Sequence, residues 1–188
     1  MDRRNPAKIG SSYAWLHEIN ETTGAIVAST GKKFPIIKES TFGFAPGSEE
    51  KVTDETGVSY TLSSASGEIT FKGVGFRPRT SELLDFFVKN RTKKYLVIKV
   101  DNEKLVNGKT GVYVYPNVSL AENFELKNNG SEFNFSFSAS PYVGTTDLTV
   151  DINAANTPGN PLLTLPATDF PATVVVKPGD LYAYAESA

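Results

Sequence analysis

Cysteine is missing from all 188 residues, and histidine, tryptophan and methionine occur once each, as His17, Trp15 and Met1. Without thiols the chain can form neither disulfides nor thiolate zinc sites, so packing has to stabilise it. His17 has no second histidine to join in a metal site, and its strand-like aromatic surroundings mark it as a structural residue. No apolar run approaches the length of a membrane span. Met1 to Lys8 is charged and is not followed by an unbroken apolar segment, so a soluble intracellular product without a secretory signal is expected. A formal net charge of −2 excludes a generally basic nucleic-acid binder. With 39% hydrophobic and 21% charged residues, the composition is that of a folded chain with a real core.

Most of the sequence reads as strands and turns. Ser11 to Ile19, a turn at Asn20 to Gly24, and Ala25 to Ser29 form an expected hairpin. Lys33 to Lys38 is a short or edge strand, because Pro35 cannot donate to a ladder. Glu39 to Gly57 has little sustained period and is expected to be a long loop. Loops beyond roughly 12–15 residues are usually functional or disordered, and Phe42 and Phe44 stand out in this one as core anchors or interface residues.

Strict alternation returns at Val58, Tyr60 and Leu62 and again at Glu68 to Lys72, the pattern of half-buried strands. Gly73 and Gly75 lack the rest of any phosphate-loop fingerprint and read as a turn. Tyr95 to Val100 is continuously apolar, as in a strand buried on both faces. An Asn107-Gly108 turn leads to Thr110 to Tyr115, a strand expected to end at Pro116, with Val118 to Leu126 after it. Phe133, Phe135 and Phe137 then share one face, while Asn134, Ser136 and Ser138 share the other.

One amphipathic helix interrupts the strands, across Arg79 to Lys94. Leu83, Leu84, Phe87 and Val88 fall on one stripe of a 3.6-residue period. Thr80 or Ser81 caps its start, Glu82 and Asp85 lie at the positive end of its dipole, and Lys89, Arg91, Lys93 and Lys94 lie at the negative end.

A soft boundary falls near Val143, giving a β domain over 1–143 and an extended arm or small peripheral lobe over 144–188. The arm holds Pro158, Pro161, Pro166, Pro171 and Pro178 and carries five acids against Lys177. Proline at that spacing argues against central strands.

Catalytic chemistry finds little support, and no enzyme activity, cofactor or metal is expected. There is no Gly-x-Ser-x-Gly elbow. Glu49, Glu50, Asp54 and Glu55 cluster in the expected loop and read as solvated acids rather than a carboxylate pair across a cleft. Asp147, Asp151 and Asn153 lack the glycine-bearing loop of a calcium site. Arg77 and Arg79 with the helix cations could touch nucleic acid, but the last four of these cations already complement the helix dipole.

The order of elements from Gly67 to Val143 resembles the tail tube proteins of long-tailed bacteriophages and of contractile injection systems. The likeness rests on Gly67 to Gly73, on the helix with Leu83-Leu84-Asp85-Phe86-Phe87, on Tyr95 to Asp101, and on Glu132 to Phe137. What it implies is a mainly β fold, a β-sandwich or barrel packed by one short α-helix, with the proline-rich extension added. It implies six copies in a ring, rings stacked into a tube, and DNA passing through the lumen without specific binding. Tape measure and other tail proteins would be partners, with no membrane. The product would be made in the host cytoplasm and reside in the virion tail. The loop between early strands would reach the next ring, which assigns Phe42, Phe44, Glu49, Glu50, Asp54 and Glu55 to that contact. Asn134, Ser136 and Ser138 are lumen-face candidates, because small neutral groups let a polyanion slide.

A different class is also open: a β-sandwich module binding carbohydrate or a host surface through Trp15, Tyr113 and Tyr115. A connector or baseplate hub of the same fold is a further reading.

Overall fold

The computed structural model describes residues 12–20, 32–34, 36–45, 49–53, 55–57, 59–63, 65–74, 85–101, 111–126, 132–152 and 171–186. Its strands are β1 (Ser12–Glu18), β2 (Lys32–Lys33), β3 (Ile36–Ala45), β4 (Glu49–Thr53), β5 (Ser59–Ser63), β6 (Ser66–Val74), β7 (Tyr95–Asp101), β8 (Gly111–Leu126), β9 (Glu132–Ala139), β10 (Leu148–Asp151), β11 (Thr173–Val176) and β12 (Ala183–Glu186). A helical segment, α1, occupies residues 85–89. The chain is mainly β, as the sequence indicates.

The main sheet runs β12-β8-β7-β1-β3-β6-β9, and β9 pairs back onto β8, so the ladder closes on itself. Two bent strands make this closure possible. β3 meets β1 only at Ile37, shifts register between Ile37 and Glu39, and then follows β6 to Ala45. β8 pairs with β7 as far as Val118 and with β9 from Val118 onward. Each bend therefore moves one strand from one layer of the fold to the other, the usual way to make a corner between crossed sheets.

Pro116 does not end its strand, contrary to the sequence expectation. Tyr95 pairs with Val118 but Val97 with Tyr115, so β8 carries one residue more than β7 at Pro116-Asn117. A bulge needs no ladder donor there, which is where proline is tolerated. The Asn117 carbonyl accepts from the Ser140 N–H at 2.8 Å, tying the bulge to the end of β9.

The core between the layers is aromatic. Phe34 makes edge contacts with Phe71, Phe135 and Phe137 at 5.2, 6.0 and 5.6 Å between centroids. Phe87 of α1 reaches the same group, at 5.4 Å from Phe135 and 5.7 Å from Phe137. Each such buried ring contributes roughly 1.5–3 kcal/mol through burial alone.

The helix ends sooner than its charge pattern suggests. The Asn90 N–H donates back to Phe86 O at 3.1 Å, and its Nδ2 donates to the same oxygen at 2.8 Å. The chain then turns and brings Tyr95 into the core, where its hydroxyl donates to Asn90 O at 2.8 Å. Burial, with Glu18 nearby, raises the Tyr95 phenol well above its ordinary pKa. Val88 is 57% exposed and is no part of the buried stripe; Phe86 packs against the core in its place. Leu83 and Leu84 lie outside the described residues.

Of the hairpin expected from Ser11 to Ser29, only the first strand falls within the described residues. β1 pairs along its whole length with β7, far away in sequence, and with β2 at Trp15 and Leu16. Ala25 to Ser29 lies outside the described residues.

The outer face of β7 and β8 is covered as well. Leu96, Ile98, Val112 and Val114 pack with Val150, Ile152, Val174 and Val176 from the β10–β11 segments. Tyr95 to Val100 is thus buried on both faces, as its apolar run indicates. β12 joins the main sheet alongside β8, with Tyr184 opposite Tyr113.

Candidate assembly surface

The expected loop from Glu39 to Gly57 is not a loop. Its first part is β3, in register with β6 from Glu39–Lys72 to Ala45–Ser66. Its second part is β4, paired with β5 from Glu49–Ser63 to Thr53–Ser59 as a separate ribbon. The low periodicity that suggested a loop comes from the Ala45-Pro46-Gly47-Ser48 break between two strands. Phe42 lies on the core side of β3, 5.5 Å from Tyr115 and 5.4 Å from Tyr182 between centroids. Phe44, two residues on, is 59% exposed. Glu55 is exposed at the ribbon's turn, Glu49 and Glu50 stand on β4, and Asp54 lies outside the described residues.

β3, β6, β9 and the far half of β8 form four adjacent antiparallel strands. Register sorts their two faces. Phe42–Ile69–Phe137 and Phe71–Phe135 face the core. Thr41–Thr70–Ser136 forms the matching row on the opposite face. Beside it lie Glu68–Ser138–Ser119 and Glu39–Lys72–Asn134, with Glu125 next in register. This second face contains small hydroxyls with acids outnumbering cations.

The three lumen-face candidates thus stand in one line, joined by β6 residues that the sequence reading did not select. Ser138 is exposed, whereas Ser136 is buried and its hydroxyl lies 3.2 Å from Thr70 Oγ1. Lys72 forms an exposed ion pair with Glu39 at 3.5 Å across the strands, which is worth little energetically. The signal for Glu68, Thr70 and Lys72 was present in the alternation of β6; only pairing shows that they continue the β9 face.

Both outer strands of this layer have an open edge. Among the described residues, no strand pairs with the second edge of β3 beyond Ile37 or with that of β8 beyond Val118. Neither Glu39 to Ala45 nor Ser119 to Leu126 contains proline, so every residue there keeps its N–H. Such edges are templates for another chain.

Groups for other chemistry are sparse. Among the described residues, no cluster of three or more histidine, cysteine or acidic side chains could hold a metal, and no helix is long and apolar enough to cross a membrane. His17 is buried opposite Leu96 in the β1–β7 ladder. Of the aromatic platform, Tyr115 is buried, Tyr113 is half-buried and stacks beside it at 6.4 Å, and the Trp15 side chain lies outside what is described.

No protein-family model matches the chain, and no curated protein matches it. Among solved structures, it is similar to the tail of an empty GTA particle refined with C6 symmetry, at 12% identity and a TM-score of 0.36, over 74% of this chain and 96% of that one. It is also similar to the SPP1 tail tube, at 20% identity and a TM-score of 0.36, over 69% of this chain and 73% of that one. Both values lie below the level at which likeness fixes a shared architecture or role.

Proposed function

We propose that this protein is a structural subunit of a phage tail tube, assembling as six-membered rings that stack around a DNA conduit. The observation that carries this reading is the β3-β6-β9-β8 layer, with its two open edges, one packed face and one polar face. Neighbours in the layer are all antiparallel, so β3 and β8 run in opposite directions. When copies are related by rotation, β8 of one therefore meets β3 of the next as an antiparallel pair. The interface is heterologous and closes into a ring, which removes the edges as a hazard.

Closure through those edges puts the Thr41–Thr70–Ser136 row on the lumen, with Asn134 and Ser138. Neutral hydroxyls and a small excess of acid give a polyanion nothing to adhere to. The β4–β5 ribbon pairs only with itself in the described chain, and a lone two-stranded ribbon is at best marginally stable in water. It serves as the contact to the next ring, with Phe44, Glu49, Glu50 and Glu55, and with Phe42 anchoring its base; Asp54, which lies outside the described residues, is assigned to the same contact. The β10–β11 segments form an outer layer over β7 and β8. No catalysis or cofactor enters this role. The subunit is made in the host cytoplasm and ends in the virion, where tape measure and other tail proteins are its partners.

Register supplies the test. Ala45 and Ser66 are paired, so residues 46–65 can be replaced by a two-residue Asn-Gly turn without disturbing β3 or β6. The shortened protein should fold and form rings but not tubes in electron micrographs. Tubes of ordinary length would refute the ribbon's role, and a wild-type protein that stays monomeric at all concentrations would refute the tube. A monomer that binds glycans would instead favour a β-sandwich binding module, for which the exposed Tyr182 and Tyr184 beside Tyr113 are the favouring observation.

A further inference from the structure

The first half of β8 and its neighbour β12 have two unlike faces. Val112, Val114, Ala183 and Ala185 belong to the outer cluster with β10 and β11, so alternation turns Tyr113, Tyr115, Tyr182 and Tyr184 the other way, toward the β3-β6-β9-β8 layer. Cover on that face runs out within two residues. Tyr115 is buried against Phe42 of β3, and Tyr182 meets the same ring at 5.4 Å between centroids. Tyr113 is only half-buried, while Tyr182 and Tyr184 are 44% and 38% exposed. The layer below explains this. It begins where β8 bends at Val118 and proceeds through β9 and β6 to β3, its last strand. Tyr113 is farther from Val118 than Tyr115, which already lies on β3. Two residues along β8 cover about 6.6 Å and adjacent strands lie about 4.8 Å apart, so in crossed layers the next strand position past β3 falls beneath Tyr113 and Tyr184. Among the described residues no strand occupies it, and the β3 edge that would pair with one is the open edge from Glu39 to Ala45.

We propose that Tyr113, Tyr182 and Tyr184 roof a slot that receives the far half of β8 from the neighbouring copy in the ring. This rests on the tube reading and adds the side chains that hold its lateral seam. The slot has a row of main-chain groups along one wall and aromatic rings above, and such an edge calls for an extended strand. Ser119 to Leu126 of a second copy supplies one: it has no proline, its own second edge is open among the described residues, and rotation brings it antiparallel to β3. One incoming strand thus pairs the edge and covers the tyrosines together. Edge pairing alone buries little apolar area, and tyrosines are among the side chains that dominate interface energies. A saccharide stacked on the rings would leave the β3 edge unpaired.

Tyr184 is the residue to test. Its ring lies against Gly111, where a Cβ would come within 2.6 Å of it, and its hydroxyl lies 3.0 Å from Glu186 Oε1. Tyr184→Asp, Tyr184→Phe and Val175→Asp, the last a control on the exposed face of β11, are compared with wild type in the full chain by sedimentation velocity over a dilution series. Tyr184→Asp should raise the concentration at which rings half-assemble about tenfold or more. Tyr184→Phe keeps the ring, and Val175→Asp adds its charge away from the seam, so both should assemble as wild type does. Iodination mapped by mass spectrometry gives a second readout that needs no variant: Tyr182 and Tyr184 should be protected in wild-type rings and labelled in dilute subunits, and this comparison decides alone if Tyr184→Asp does not fold. Rings of folded Tyr184→Asp at the wild-type concentration, or equal labelling of Tyr184 in rings and subunits, would overturn the proposal while leaving the tube reading intact. No rings from wild type at any concentration would remove both.

Discussion

Phe87 and Val88 are adjacent, alike in hydropathy, and equally placed on the helical stripe read from sequence, yet the fold treats them oppositely. Phe87 is fully buried, with ring contacts to Phe34, Tyr95, Phe135 and Phe137. Truncating it to alanine empties a ring-sized volume lined by other rings, none of which can collapse into it without breaking its own contacts. Phe→Ala at such sites costs about 3–5 kcal/mol. For a chain of this length each kcal/mol lowers the melting temperature by about 2–4 °C, so Phe87→Ala should melt about 6–20 °C below wild type. Val88→Ala removes only exposed carbons, where changes stay within about 0.5 kcal/mol. Calorimetry or circular dichroism on the two variants measures the difference directly. Equal losses, or a larger loss at Val88, would refute the packing of α1 described above and with it the aromatic core.

Further outcomes follow from the same geometry. A Cβ on Gly67 would lie 2.5 Å from a Phe42 ring carbon, so Gly67→Ala should destabilise by about 1–3 kcal/mol through overpacking, with Phe42→Leu relieving part of the loss in a double-mutant thermal melt. The Tyr95 phenol is held neutral in the fold, so its contribution is present below the unfolded pKa of about 10 and is lost as pH rises above it. Absorbance at alkaline pH should show one tyrosine ionising only with unfolding, and Tyr95→Phe should abolish that component. Thr41→Lys with Ser138→Lys adds cations to the polar face; tubes of this variant should retain double-stranded DNA at low salt and release it as salt rises, whereas wild-type tubes retain none. A filter-binding assay decides, and retention by wild type would refute the lumen assignment.

The sequence by itself determined the local periods. Alternation in Glu68 to Lys72 and Glu132 to Ala139 marks two strands with one apolar face each, because side chains on a pleated strand point to opposite sides. The unbroken apolar run at Tyr95 to Val100 marks a strand covered twice, and the absent cysteines and lone histidine exclude thiolate and multi-histidine metal chemistry. Tertiary structure decided everything that depends on a partner distant in the chain. Pro116 could remain inside β8 only because β8 bulges there against β7, and no local rule supplies that bulge. Ile36 to Ala45 became a strand because β6 pairs with it, although its own pattern is broken by Gly43. Helix periodicity could not separate Phe87 from Val88, since the stripe's centre is set by the rings it packs on. Last, two strands bend from one layer into the other and, among the described residues, leave Glu39 to Ala45 and Ser119 to Leu126 with open edges. An open edge is a property of what fails to pair with a strand, and for that reason no strand's own sequence announces it.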